Sequence, residues 1–218
     1  IQVGTPEEIV MKPEDDYVAD FVKGISRLEV VKANSIMTPL DEYSKNNGDI
    51  PQDAIRMNEG DVLIGFSSTG LHTNGYSLAR KVLFSKYEVN EYIEELGTDI
   101  GSALLAVHKS YLPVIRELKK ITGVHAFSHI TGGGIIGNTK RVVPSPLKID
   151  IDWNSWERPA LFKLIAEVGN IQEEDQREAF NLGIGLIVIV SAEDKNKVLD
   201  WANDAGESAY EIGKIINN

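Results

Sequence analysis

The 218-residue chain contains no cysteine, which excludes a disulfide framework, a thiolate nucleophile and any cysteine-ligated metal. Positive charge is scarce: 22 Lys and Arg stand against 33 Asp and Glu, for a net charge of −11. A nucleic-acid partner needs clustered basic residues against its phosphates, so that class is excluded too. A small phosphorylated molecule needs only a local array of donors and stays open. No apolar run approaches the roughly 20 residues of a membrane-spanning helix; the most apolar stretch is IGLIVIV at 184–190. Signal-peptide features, low complexity, internal repeats and heptads are also missing. These absences suit a cytoplasmic globular protein. The first residue is Ile1, not Met, and further sequence is expected upstream.

What is present is organised around residues 60–83, GDVLIGFSSTGLHTNGYSLARKVL. Val62, Leu63, Ile64 and Phe66 make a short apolar run bounded by turn residues, the pattern of a strand covered on both faces. Ser67, Ser68, Thr69 and Gly70 stop it. His72 and Thr73 follow, and a helix beginning at Asn74 or Gly75 carries Tyr76, Ala79 and Leu83 on one side. A strand that delivers hydroxyl groups and glycines to a helix N-terminus is a candidate anion cradle, because backbone N–H groups and the positive end of the helix dipole point the same way. A second loop of this kind, HITGGGIIGN at 129–138, joins a predicted strand over 124–130 to a predicted helix over 135–142. The two loops are expected to face one another across a phosphate-binding cleft.

Elsewhere the pattern is α/β. Residues 88–96 are acidic and read as partly helical, and helices are predicted over 99–107 and 111–121, the second burying Leu112, Ile115 and Leu118. Leu147, Ile149 and Ile151 alternate with polar residues as in a half-buried strand. Leu161, Leu164, Ile165 and Val168 give the stripe of an amphipathic helix. A helix over 172–180, a buried interior strand over 184–190, a helix over 193–205 and a closing strand over 210–216 complete the series. Strands and helices alternate without strict order, which predicts a mixed sheet with helices on both faces. Toward the N-terminus, residues 1–3 read as a strand end, Thr5-Pro6 as a helix start and residues 17–22 as a second short helix. The polar stretch 39–54, with Asn46-Asn47-Gly48 and Pro51, reads as a linker.

The chemistry rests on the two loops. Residues 132–139 have the glycine spacing of a P-loop, but Asn138 occupies the position of the lysine that reaches the terminal phosphates, so a P-loop is rejected. The three glycines serve either tight strand–helix packing or the approach of backbone N–H groups to a phosphate. His72 and His129 sit at strand-to-helix loops, His129 at a strand end where open α/β sheets place ligands; they are the candidate catalytic residues. The candidate phosphate-binding set is Ser67, Ser68, Gly70, Asn74, Gly75, Thr131, Gly132, Gly133, Gly134, Asn138, Arg141 and Asn181. Each asparagine has helix capping as its alternative role, and Arg141 an exposed ion pair. His108 and His125 fit no metal-ligand spacing and receive no role.

The motifs GDVLIGFSSTGLHTNGYSLARK (60–81), HITGGGIIGN (129–138), RVVP (141–144), IDWNSWERPALFKLI (151–165), FNLGIG (180–185) and GESAYEIGKI (206–215) occur in an order that resembles the C-terminal domain of the phosphoribosylformylglycinamidine cyclo-ligase family, also called aminoimidazole ribonucleotide synthetases. The resemblance covers 55–218. It implies a three-layer helix/sheet/helix domain that takes part in ATP-dependent closure of an imidazole ring, formylglycinamidine ribonucleotide giving aminoimidazole ribonucleotide. It implies ATP and Mg2+ as cofactors, a phosphorylated small-molecule substrate, and a homodimer formed through an N-terminal domain outside this sequence. VHKSY (107–111) stands where a Pro-Thr-Arg version is commoner, and Lys140 where proline is usual.

Residues 1–38 resemble instead the end of the ATPase core of glycine-betaine type ABC importers, through QVGTPEEI (2–9), DYVADF (16–21), VVKA (30–33) and Ile36-Met37. The expected organisation is therefore a tail over 1–38, a linker over 39–54 and the cyclo-ligase domain over 55–218. Two other readings accompany it: a non-catalytic ligand-binding module fused to a transport ATPase, or another enzyme of the same ATP-dependent superfamily.

Overall fold

The protein is seen in a computed structural model that describes Ile9 and residues 12–22 and 57–217. The chain separates into two units, residues 1–54 and 55–218. In the first, helix α1 (Asp16–Val22) begins where the Asp15 carboxylate accepts the Val18 N–H at 2.8 Å, and its buried Val18 and Val22 lie one turn apart. The expected strand at 1–3, the helix start at Thr5 and the linker at 39–54 lie outside the described residues.

In the second unit, strand β1 (Val62–Ser67) is buried from Val62 to Phe66, with Ser67 half-buried, and lies at the centre of a five-stranded sheet. Successive side chains on a strand point to opposite faces. Val62, Ile64 and Phe66 accordingly enter one apolar cluster and Leu63 another. Helix α2 (Tyr76–Leu83) follows. Strand β2 (Tyr92–Ile93), a 3-10 turn (Glu94–Leu96) and strand β3 (Thr98–Asp99) form a small hairpin. Helices α3 (Ile100–Leu104) and α4 (Leu112–Leu118), strand β4 (Val124–His129), helix α5 (Gly134–Thr139) and strand β5 (Lys148–Ile151) come next. The chain closes with α6 (Ala160–Gly169), α7 (Glu173–Ala179), β6 (Ile184–Val190), α8 (Lys195–Asp204) and β7 (Ala209–Ile216). The sheet order is β4-β6-β1-β7-β5.

The expected layered α/β arrangement is present. Val114 and Leu118 of α4 and Val198 and Ala202 of α8 cover one face of the sheet. Ile135 of α5, Ile130 and Trp156 cover the other. A further cluster of α2, α3 and α6 with Phe180 and Leu182 contains no residue of the five-stranded sheet. Two expectations need correction and a third is made specific. Each of the four pairings in the main sheet is antiparallel, so its strand directions are not mixed; hydrophobic periodicity carries no information on direction. Residues 88–96 are partly helical as expected, through the 3-10 turn, with the β2 strand before it. In α4 the buried side chains are Val114 and Leu118, while Leu112 is 51% exposed and Tyr111, just outside the helix, is buried.

Two bulges interrupt the β1 pairings. The one against β6 falls beside Ser67, where register jumps past Gly185; bulges of this kind re-aim side chains next to sites. Because β1 and β4 both pair antiparallel with β6, they run in the same direction, and Ser67 and His129 emerge at the same end of the sheet. Asp61, at the opposite end, accepts the Asn58 N–H at 2.8 Å and contacts His125 Nδ1 at 2.7 Å. His125 is thereby a structural partner of the β1 start.

Helix α7 is tied to the turn before α6 by ions. Arg158 binds the Glu173 carboxylate through both terminal nitrogens, and Arg177 Nε reaches it at 2.7 Å. The hydrogen bond from Arg158, with Arg177 assisting, pulls the Glu173 carboxyl from 4.5 down to about 2. A depressed carboxylate stabilises the fold above its unfolded pKa, and that contribution disappears as pH falls from about 4.5 through about 2. Since the Glu173 side chain is 36% exposed, solvent screening reduces its worth to about 1 kcal/mol. Glu173→Gln should therefore lose about that much at neutral pH and show a flatter acid limb in denaturant-unfolding midpoints measured across pH. Parallel pH profiles for the two proteins would refute the linkage.

Candidate functional site

The loop after β1 is held from below by an asparagine of another element. Asn181 Nδ2 donates to the Gly70 carbonyl at 2.8 Å, and its Oδ1 accepts from Ser68 Oγ and from the Gly183 N–H, each at 2.9 Å. The loop after β4 is held in the same manner. Asn138 Nδ2 donates to the carbonyls of Gly134 at 2.7 Å, Thr131 at 3.1 Å and Gly132 at 3.3 Å, and Oδ1 accepts from Thr131 Oγ1 at 2.9 Å. Both asparagines are buried. Four of the expected ligand groups, Ser68, Thr131, Asn138 and Asn181, thus spend their side-chain polar atoms on the scaffold. They shape the loops instead of facing a ligand, and neither asparagine is a helix cap.

The glycines divide by the space around them. A Cβ on Gly75 would run into the Phe180 ring, and one on Gly134 would overlap the Arg177 carbonyl; these two glycines serve packing. Gly132 and Gly133 are different. A Cβ on Gly132 would meet only Asn74, with Oδ1 at 3.2 Å, and one on Gly133 would find Arg141 Nη2 and the Gly137 Cα at 4.0 Å. The two loops therefore do face one another. Between them lies a cleft of about 450 Å³ whose lining includes Thr73, Asn74, Tyr76, Gly132, Gly133 and Glu178. Asn74 keeps its side chain free of the scaffold apart from a 3.3 Å contact to Thr73 Oγ1. Arg141 is exposed and has no ion-pair partner among the described residues. Gly75, at φ 79, caps the α2 N-terminus without a side-chain bond, so the first-turn N–H groups of α2 meet no side-chain cap at the cleft.

Beside the cleft, three histidines meet. His72 adopts φ 58, a left-handed conformation rare for residues other than glycine and concentrated at functional sites. It is 4% exposed, and the Thr69 N–H donates to its Nε2 at 3.1 Å, which leaves the ring hydrogen on Nδ1 in the neutral form. Its ring stacks on His108 with centroids 4.0 Å apart, and His108 Nε2 lies 3.3 Å from His129 Nε2. Burial first, then the charges of His108, His129 and Lys109, lowers the pKa of His72 to about 4, and burial followed by His108 lowers that of His129. Tyr111 donates to the Ser67 carbonyl at 2.7 Å, with the Lys109 ammonium 5.6 Å above its ring and itself paired with Glu207. Gly185 at the bulge makes room for this group, because a Cβ there would overlap the Tyr111 hydroxyl and press on His72.

His72 and His129 thus come together as anticipated from their loops. His108, given no role in the sequence, stands between them; the signal for it was the unusual VHKSY stretch. Gly70, Gly75 and Gly134 shape the loops, while Asn74, Gly132, Gly133 and Arg141 border open space. Ser67 contributes its carbonyl to Tyr111.

Residues 58–218 match the family model described as AIR synthase related protein, C-terminal domain. The chain belongs to this family. It is 42% identical over 168 residues to the phosphoribosylformylglycinamidine cyclo-ligase of Thermoanaerobacter pseudethanolicus, an alignment covering 76% of this chain and 50% of that protein. It is 35% identical over 217 residues to the cyclo-ligase of Agathobacter rectalis, covering 98% of this chain and 58% of that one. The chain spans about half the length of the curated relatives it matches. The second alignment runs through the N-terminal residues as well, so the importer-like reading of 1–38 is not borne out, and the notion of a module fused to a transport ATPase loses its basis. Among solved structures, thiamine-monophosphate kinase from Stenotrophomonas maltophilia K279a has the same fold, with a TM-score of 0.53 at 14% identity over 75% of this chain and 49% of that one. Among the described residues no helix is long and apolar enough to cross a membrane.

Proposed function

We propose that residues 55–218 form the substrate-side part of an ATP-dependent cyclo-ligase that converts formylglycinamidine ribonucleotide to aminoimidazole ribonucleotide, and that the cleft between residues 73–76 and 132–133 holds a phosphate group. The observation that carries this reading is the opposition of two backbone-lined loops. Gly132 and Gly133 leave their main chain open, α2 turns its uncapped N-terminus toward them, and Arg141 stands over Gly133. Backbone N–H groups and a guanidinium are the donors a phosphate takes. A neighbouring depression of about 490 Å³ shares Glu178 with the cleft but adds Asp175 and includes neither of the open glycines Gly132 and Gly133, so it offers an anion less.

When bound, ATP supplies the phosphoryl group that turns the substrate amide oxygen into a leaving group. The contribution of this chain is positioning and charge neutralisation, which is most of what phosphoryl transfer asks of a protein. His72 and His129 lie outside the cleft lining; His72 is buried beside Thr73 and His129 is exposed at the end of β4, so they are assigned no contact with the phosphate. The sole group of three His, Asp or Glu side chains close enough to share an ion, among the described residues, is all imidazole. Magnesium takes oxygen ligands, so this set does not fit Mg2+ and no step is assigned to that ion. Dimerisation would come from parts of the relatives beyond this alignment.

The test is equilibrium binding of ATP to the chain. Arg141→Ala should weaken it about tenfold, the worth of one charge-assisted contact, and ATP should shift the backbone amide signals of 73–76 and 132–133. Equal affinity in the two proteins, or shifts confined to another surface, would overturn the assignment.

A further inference from the structure

We propose that His72, His108 and His129 form a binding site for one divalent transition cation of the zinc class, each ring giving one nitrogen. The three ligand nitrogens lie within 4.8 Å of one another, although they come from two loops and the end of strand β4. The distance between His108 Nε2 and His129 Nε2 is 3.3 Å. A tetrahedral ion bound at about 2.0–2.1 Å to two imidazoles separates their nitrogens by roughly 3.3–3.4 Å, so this pair already has the spacing of one edge of such a site. An all-imidazole set selects zinc, nickel, cobalt or copper over magnesium and calcium. Lys109, next in sequence to His108, is paired with Glu207, and so is not left unneutralised beside the ion.

The third ligand is prepared as well. The Thr69 N–H donates to His72 Nε2 and so selects the tautomer with a lone pair on that nitrogen. An ion taking that lone pair displaces the Thr69 N–H, so the Ser68–Gly70 segment, exposed at Thr69, must shift to hand this group to water. His72 Nδ1 is buried without a partner among the described residues. A ligand that rearranges this ring therefore displaces no bond at Nδ1. His108 must tilt out of its stack on His72 to point at a shared ion. It can do so because its one hydrogen-bond partner among the described residues is His129, and its loop neighbours Leu105 and Val107 are 80% and 84% exposed. His129 is exposed, which leaves the remaining coordination positions to water. His125, engaged by Asp61, stands outside the group.

The experiment titrates the chain with zinc alone, without nucleotide, near neutral pH. One equivalent should bind, and His108→Ala should bind at least about tenfold more weakly with an unchanged circular-dichroism spectrum. In the unmodified protein, zinc should shift the imidazole nitrogen signals of His72, His108 and His129 and leave His125 in place, a measurement that needs no variant to fold. Cobalt should give visible d–d bands that His108→Ala abolishes. Zinc affinity equal in the two proteins, or histidine signals that do not move or that move at His125 alike, would overturn the site. Since ATP is absent throughout, failure here leaves the phosphate cleft untouched, and failure of ATP binding leaves the metal site untouched.

Discussion

Alanine at Gly134 should lower the stability of the 55–218 unit by about 3 kcal/mol or more, whereas alanine at Gly137, three residues on, should raise it by about 0.5–1 kcal/mol. Gly134 adopts φ +63, and a Cβ there would overlap the Arg177 carbonyl with the Phe180 carbonyl close behind. The obstacle is backbone on both counts, so relief requires α7 to move away from α5. Overpacking against a fixed main chain costs about 1–3 kcal/mol and a left-handed alanine about 1 kcal/mol more. Gly137 sits inside α5 with nothing within 4 Å of an added Cβ and no positive φ, the situation in which glycine-to-alanine restricts the unfolded chain without straining the native one. Thermal unfolding should separate the two variants by about 7–16 °C. Similar melting temperatures would show that the loop is not clamped between α5 and α7 as described. The contrast also explains why the P-loop-like spacing of Gly132 and Gly137 is without chemical content: the second glycine is an ordinary helix position.

How much of this was readable in the sequence depends on whether a feature is local. The β1 and β6 runs, the α6 stripe and the two glycine-bearing loops are written in residues that neighbour one another, and all were found where the pattern put them. The stripe assigned to α4 went wrong by phase: Leu112 is as apolar as Leu118, but Tyr111 is anchored inward by its bond to Ser67, which turns Leu112 out to solvent. The histidine cluster was out of reach for another reason. His72, His108 and His129 are far apart in the chain and converge because β1 and β4 run the same way beside β6 while the segment before α4 crosses their ends. No spacing rule encodes that. Likewise, Asn138 and Asn181 read as polar groups near glycines, and only the partners in space reveal that each has its hydrogen bonds committed.

Asn181→Ala should cost about 4 kcal/mol and abolish ATP binding, although Asn181 borders no open space. Its removal leaves the Gly70 carbonyl and the Gly183 N–H without partners, and both glycines are buried. A buried group left unpaired costs about 1–3 kcal/mol, and the freed loop loses the fixed course that brings Thr73 and Asn74 opposite Gly132. Asn181→Asp should not rescue it, because a carboxylate keeps the two accepting bonds but faces the Gly70 carbonyl with a second acceptor. Asn74→Ala is the comparison that gives the result its meaning. Its side chain makes only the long contact to Thr73, so stability should stay within about 0.5 kcal/mol while ATP binding weakens. Denaturant unfolding and ATP titration on the three variants separate the asparagine that builds the loop from the one that lines the open cleft. If Asn181→Ala melted like the unmodified chain, the loop would owe its course to something else, and the division of the asparagines drawn from their hydrogen bonds would be wrong.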